Sequence, residues 1–223
     1  MHIRSSDVGE RLGTVDVAGA VADLWFAWVG DHAGDVERFS RDHLSDNERA
    51  RLGTYRSRDA AERYVVTRSL VRIVLGDRLG IPAREIGVSR TDTGKPVVAE
   101  GVHFNVSHSG DLVLLALSDT RAIGVDVERR RDVARVESLT QRWLTDDERR
   151  DLQRLRATGV TESEAFLRVW SLKEARLKAL GVGIAGAFAA RVHSVDALPL
   201  DSLLDSLLGQ HYDQGYVGAV AFA

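Results

Sequence analysis

The apolar positions of this chain change rhythm twice in the same order. A strand-like stretch, VADLWFAWV at 21–29, is answered about a hundred residues later by AIGVDVE at 122–128. Between them lies LSDNERARL at 44–52, and LTDDERRDL follows the second strand at 144–152, with five of nine positions identical. Both copies open on Ser or Thr with Glu three residues on, the pattern of a capping box at a helix start. Long helical stretches come next, ERYVVTRSLVRIVLG at 62–76 and FLRVWSLKEARLKALG at 166–181, each ending in Leu-Gly. Strand-like segments close each half: EIGVSR (85–90) with FNVSHSGDLVLLAL (104–117), then ARVHSV (190–195) with GYVGAVAFA (215–223).

This order predicts an α+β chain of two tandem similar halves, 1–119 and 120–223, meeting at the polar turn Ser118–Arg121. Each half is expected to be a small, mainly antiparallel sheet packed on a long helix. Two copies of one fold are expected to be related by a pseudo-twofold axis with a ligand cleft between them, and one chain holding both copies is expected to be a monomer. The chain of 223 residues carries a net charge of −3 and no cysteine. A basic nucleic-acid binder is therefore not expected, and disulfide and thiolate chemistry are excluded. Its start lacks the apolar core of a signal peptide, and its longest aliphatic run, 112–117, is far too short for a membrane span. A cytoplasmic protein without a membrane partner is the expectation.

The positive charges are spelled almost wholly as Arg: of 30 basic residues only Lys95, Lys173 and Lys178 are lysine. Two of the three sit in the second long helix. Aligned at the Leu-Gly ends, Lys173 falls opposite Arg68, Glu174 opposite Ser69 and Lys178 opposite Ile73, so the second copy has gained charges. On a helical wheel Phe166, Trp170, Lys173, Glu174 and Leu177 share a face with Lys178 at its margin, while Val169, Leu172, Ala179 and Leu180 form another apolar face. An exposed helix with a 174/178 Glu–Lys pair is the simpler reading; apolar residues on both sides instead imply burial, where charge needs partners. In AIGVDVE, alternation puts Gly124, Asp126 and Glu128 on one side at a strand end. Two carboxylates about 6–7 Å apart can share one hard cation, Mg²⁺ or Mn²⁺, or can simply be solvated beside Arg129–Arg131. The turn HFNVSHSG at 103–110 places His108 and its neighbour Ser107 at another strand end. No nucleophile-elbow sequence surrounds these serines, so a phosphate contact suits His108 better than a Ser-His-Asp triad.

In order, GKP (94–96), FNVSHSG (104–110), GVDVE (124–128) and WSLKEARLKALG (170–181) resemble the surfactin-type 4′-phosphopantetheinyl transferases, in the subgroup with a W-x-x-K-E-A helix. The resemblance covers roughly residues 20–222. It implies Mg²⁺-dependent transfer of the phosphopantetheine arm of coenzyme A to a serine of an apo acyl or peptidyl carrier protein, releasing adenosine 3′,5′-bisphosphate. It further implies Asp126, Glu128 and Glu174 as metal ligands, Glu174 as base and Lys178 at the pyrophosphate. Lys95, Ser107, His108 and Lys173 would contact coenzyme A, with Arg51 near its 3′-phosphate and Arg49, Arg58 and Arg63 as further candidates. Glu148 matches an acid near the metal in some members, yet a capping box explains it equally well. The loop GVGIAGAFAA (181–190) is more apolar than the family pattern. The alternatives are a non-catalytic coenzyme A or carrier-binding module on the same fold and a Mg²⁺-dependent hydrolase of coenzyme A; all three are told apart by where the pantetheine arm ends.

Overall fold

A computed structural model describes residues 7–99, 101–183, 192, 195–208 and 215–223, with backbone only at 207 and 208. The chain divides into two compact units, one of residues 1–16 and 21–120, the other of 17–20 and 121–223.

In the first unit, β1 (Glu10–Val17) and β2 (Ala20–Trp28) lead into helices α1 (Val36–His43), α2 (Asp46–Leu52) and α3 (Arg58–Leu79). A short ribbon, β3 (Ser89–Arg90) with β4 (Pro96–Val97), precedes the hairpin of β5 (His103–Ser109) and β6 (Leu112–Ser118). The main sheet runs β1-β2-β6-β5, and β6 is antiparallel to both of its neighbours. Strand β6 is buried at every position, which explains its continuous apolar run rather than an alternating one. Its hairpin closes on Gly110-Asp111, and Gly110 takes the left-handed φ of 57° that such tight loops need. Trp25, Phe39, Leu70, Phe104 and Leu115 anchor the core between this sheet and α3.

The second unit repeats the plan. Strand β7 (Ile123–Arg129) leads into α4 (Val136–Trp143), α5 (Asp146–Ala157) and α6 (Glu162–Leu180), then β8 (Asp196–Pro199), α7 (Asp201–Leu208) and β9 (Tyr216–Phe222). Its sheet order, β7-β9-β8, is that of β2-β6-β5, with the last strand of each unit in the middle and antiparallel to both partners. The repeat seen in the sequence is therefore a repeat of topology. Both capping boxes are formed: Ser45 and Thr145 accept from the backbone N–H of Glu48 and Glu148, whose carboxylates accept from the cap N–H in return.

Two expectations need correction. The first long helix does not stop at Leu75-Gly76. It continues to Leu79 and is capped by Gly80 at φ 70°, the counterpart of Gly181 at φ 66° after α6. Gly76 is a close-approach glycine instead, since a Cβ there would lie 2.6 Å from the Ile81 carbonyl oxygen. Of EIGVSR only Ser89–Arg90 is strand, because Ala83–Glu85 winds into a 3₁₀ turn after Pro82. The strand expected at 190–195 and the loop 181–190 lie largely outside the described residues, and β8 begins just beyond them. Strand β1, the short helices α1 and α4, and α7 have no forerunner in the sequence reading.

Helix α6 changes partners along its length, and this positions the site. Its first half packs Phe166 and Val169, with Trp170 at their edge, against Leu144 and Leu152 of the preceding helices, and Phe166 and Trp170 stack at 5.9 Å. Its second half turns Ala175 and Ala179 onto Ala219 and Ala221 of β9. Small residues on both sides let the helix backbone settle onto the sheet. At Gly124 of β7 the approach is so close that a Cβ would collide with Ala175 O and Ala179 N and lie 2.9 Å from the Lys178 carbonyl carbon. No other residue fits there.

Candidate active site

The close approach at Gly124 decides what stands next to Asp126, two residues along the same face of β7. Asp126 is 5% exposed. Its Oδ1 accepts from Lys178 Nζ at 2.6 Å, and the same ammonium donates to Val125 O at 3.2 Å. Asp126 is thus a buried residue in the middle of β7 rather than a solvated strand end. Glu174, one turn before Lys178, is half-buried, and its carboxyl is pushed up from the usual carboxylate range. Burial is the main cause, with the negative charge of Asp126 next and that of Glu128 adding to it; Lys178 and Lys173 oppose the shift. Glu128 is half-buried and lies 3.8 Å from the Arg131 guanidinium. Three carboxylates and Lys178 therefore share one electrostatic neighbourhood. They are not drawn into a closed cage: among the described residues no three acidic, His or Cys side chains are gathered tightly enough to hold a metal ion. The positive charge beside Asp126 is the Lys178 ammonium.

Lys173 lies elsewhere. It is 0% exposed, and its Nζ donates to Glu148 Oε2 at 2.8 Å, joining α6 to the start of α5. Glu148, 3% exposed, also accepts from the Thr145 N–H at 2.9 Å, so the same carboxylate closes the capping box and neutralises Lys173. The first unit holds the same device in other residues. Glu48 closes its own capping box and binds Arg68 and Arg72 of α3, with Arg68 Nε donating to Oε1 at 2.5 Å. Opposite Lys173 in the repeat, then, stands an arginine pair rather than Arg68 alone.

That pair borders a cavity of about 220 Å³ within the first unit, walled by Arg51, Tyr64, Arg68, Arg72, Arg90 and Glu48, with Pro96 at its rim. Four arginines line the cavity with one carboxylate, a composition suited to an anion. Arg51 lies 5.8 Å over the Tyr64 ring. Burial, and then Glu48, push the Tyr64 phenol up, so it keeps its proton. Next to Pro96 is Lys95, held by the turn Thr91–Gly94 through Thr91 N–H donating to Lys95 O at 2.9 Å. Burial lowers the Lys95 ammonium from the usual lysine value to about 8.

The remaining candidates are not brought to this cavity wall. Arg49 binds Leu44 O at 2.8 Å and Asp46, and its counterpart Arg149 binds Gln141 O and Asp146 in the same way, so both act as local clamps. Arg58 is exposed and pairs with Glu62 at 2.7 Å; Arg63 is half-buried on α3. On β5, His108 is exposed and Ser107 buried, and alternation sends them to opposite faces of the sheet. A larger open hollow of about 630 Å³ beside Asp42, Asp46 and Glu85 mixes charges with no convergent set of donors. Tyr64, Arg68 and Arg90 are absent from the sequence-derived set, although the repeat alignment places Arg68 opposite a singled-out lysine. Among the described residues no helix is long and apolar enough to cross a membrane.

Comparison with known proteins supplies the frame for these groups. Residues 36–120 match the N-terminal family model of 4′-phosphopantetheinyl transferases, and residues 122–217 match the 4′-phosphopantetheinyl transferase superfamily model. The 4′-phosphopantetheinyl transferase HetI of Nostoc sp. is 35% identical over 147 residues, covering 64% of this chain and 61% of its own length. A phosphopantetheinyl transferase of Thraustochytrium sp. is 36% identical over 155 residues, 63% of this chain and 54% of its own. The human L-aminoadipate-semialdehyde dehydrogenase-phosphopantetheinyl transferase is 28% identical over 183 residues, 77% of this chain and 57% of its own. The chain thus spans little more than half the length of these curated relatives. The two models adjoin where the two units divide, and together they take in both the arginine cavity and the Asp126–Lys178 pair: the chain belongs to the 4′-phosphopantetheinyl transferase superfamily.

Proposed function

We propose that the protein transfers the phosphopantetheine arm of coenzyme A to a serine hydroxyl of an apo acyl or peptidyl carrier protein. The observation that carries the reading is the Asp126–Lys178 contact beside the elevated Glu174, inside a stretch that matches the transferase superfamily. The serine oxygen forms a bond to the β-phosphorus of coenzyme A while the bond from that phosphorus to the bridging oxygen breaks, releasing adenosine 3′,5′-bisphosphate. Glu174 takes the serine proton, a role suited to a carboxylate whose basicity burial has raised. Lys178 places a compact positive charge on the pyrophosphate and can give a proton to the departing oxygen. Asp126 fixes the Lys178 ammonium.

A Mg²⁺ or Mn²⁺ ion suits the all-oxygen donor set of Asp126, Glu128 and Glu174, the mutual repulsion of which a cation would relieve. When bound, it would supply charge neutralisation on the pyrophosphate as the bond breaks. Within the first unit, Arg51, Arg68 and Arg90 of the arginine cavity suit a phosphate monoester such as the 3′-phosphate of coenzyme A, with Lys95 of the same unit as a further cation. Intact mass spectrometry of several apo carriers incubated with the protein, coenzyme A and Mg²⁺ tests the reading. A carrier gaining one phosphopantetheine arm is the expected result; a panel of fatty-acid, polyketide and peptide carriers left unmodified would oppose it.

A further inference from the structure

From the convergence of α2 and α3 on one carboxylate, with Arg72 passing the hold on to the segment before β3, we infer that Glu48 is the positioning residue of the arginine cavity and sets its preference for a phosphate monoester. The inference rests on the coenzyme A reading, and it concerns a residue that touches no substrate atom.

Glu48 is 9% exposed and takes four sets of donors. Ser45 gives its backbone N–H and its hydroxyl, each at 3.0 Å, which fixes the start of the helix that carries Arg51. Arg68 gives Nε at 2.5 Å and Nη2, which leaves the donors of Nη1 uncommitted. Arg72 gives Nε and uses its Nη1 on Ala83 O at 2.8 Å and Ile86 O at 3.1 Å, which ties down the segment leading to Arg90. Arg68 and Arg72 are thus bound to one carboxylate directly, Arg51 rides on the helix whose start that carboxylate caps, and Arg90, whose Nη1 donates to Gly94 O at 2.7 Å, follows the segment that Arg72 holds. Burial opposes the charge on Glu48, but Arg68, the Ser45 N–H and Arg72 outweigh it and hold the carboxyl below the usual range.

The second unit shows why the first needs arginine. There a single fully buried Lys173 pairs its compact ammonium with Glu148 Oε2, whereas a guanidinium can bind Glu48 through one edge and still offer another. Removing the negative charge of Glu48 would raise the positive potential of the cavity and by itself favour anions. It would also leave Arg68 and Arg72 as unscreened neighbours, and Arg68, on the partly open wall, would swing out toward solvent. The loss of a pre-set guanidinium outweighs the gain in field because a flexible arginine must be immobilised again on binding.

The test measures dissociation constants of coenzyme A and of 3′-dephospho-coenzyme A for the full chain and for Glu48→Gln, Arg68→Gln and the double variant, with melting temperatures alongside. Gln keeps the capping box, so α2 remains formed. Wild type is expected to favour coenzyme A. Glu48→Gln is expected to lower that preference about tenfold, leaving dephospho-coenzyme A affinity within twofold, and the double variant should lose no more than Arg68→Gln alone. A preference that survives in Glu48→Gln, equal weakening of both ligands, or additive losses in the double variant would overturn the assignment while leaving the cavity's role intact. Should Glu48→Gln not fold, Arg68→Lys decides: a kept charge with lost preference supports positioning, and full preference opposes it. No preference in wild type would refute the phosphate cavity itself, and this assignment with it.

Discussion

Gly124→Ala is the smallest change that probes how the fold places the site. The new Cβ would overlap Ala175 O and Ala179 N and stand 2.9 Å from the Lys178 carbonyl carbon, where a normal carbon–carbon contact is about 3.5–4.0 Å. Helix α6 must therefore retreat from β7 by on the order of 1 Å. Overpacking of this kind costs about 1–3 kcal/mol, and here the obstacle is helix backbone on one side and a strand paired to β9 on the other, so the upper end applies. The catalytic consequence is larger than the stability loss. Glu174 and Lys178 ride on the displaced helix while Asp126 stays on the strand, so the 2.6 Å contact opens, and a misplacement of about 1 Å is worth roughly a hundredfold in rate. Urea unfolding and steady-state transfer to an apo carrier, run below the unfolding midpoint, measure the two effects separately. Wild-type stability with wild-type transfer would refute the packing argument; lost stability with full transfer would refute its link to the site.

The other predictions address single groups. Lys178→Arg keeps the charge but replaces a compact ammonium by a broad fork that does not give up its proton, so transfer should fall about a hundredfold or more (about 2.7 kcal/mol of barrier); Arg176→Lys, whose side chain reaches Val195 O rather than the site, should be nearly neutral, and full activity in Lys178→Arg would show that charge alone suffices. Asp126→Ala should abolish transfer and also lower the melting temperature, since it strips a partner from a Lys178 that is only 28% exposed; residual transfer within a few-fold of wild type would remove Asp126 from the mechanism. Glu148→Gln should keep the helix cap but take the negative charge from fully buried Lys173, costing about 3 kcal/mol in denaturant unfolding; an unchanged midpoint would contradict the pairing. Lys95, with its ammonium near 8, should lose charge as pH rises past that value, so the KM for coenzyme A should climb above pH 8 in wild type and not in Lys95→Arg. Its folded pKa lies below the unfolded one, so stability should rise with pH between about 8 and 10.5.

What the sequence showed was local or periodic. The two capping boxes are spelled within four residues each, the repeat is spelled at a fixed offset, and Gly124 and Asp126 share a face because strand alternation is strict. Contacts between distant segments were hidden. The residue that neutralises Lys173 lies 25 positions away in another helix, so the helical wheel showed that this lysine needs a partner but not which one, and the resemblance set it among the coenzyme A contacts although it is sealed in a helix interface. The arginine cavity draws on α2, α3 and the β3–β4 ribbon, and of its arginines only Arg51 was legible in sequence as a candidate phosphate contact. Leu75-Gly76 imitated a helix end because a glycine needed for close approach is written the same way as one needed for a left-handed cap. Of the three retained lysines, Lys178 sits against Asp126 near Glu174, Lys95 is desolvated in the turn before Pro96, and Lys173 is sealed against Glu148.

The central claim is that Glu174, Lys178 and Asp126 move the pantetheine arm onto protein, and its fate can be followed in one measurement. Coenzyme A labelled in the pantetheine portion is incubated with the protein, Mg²⁺ and an apo carrier, and the label is located by intact mass spectrometry of the carrier and chromatography of the small molecules. The account predicts label on the carrier's serine in one-to-one yield with adenosine 3′,5′-bisphosphate. Label recovered as free phosphopantetheine, or remaining on coenzyme A across carriers of all three types, would contradict it.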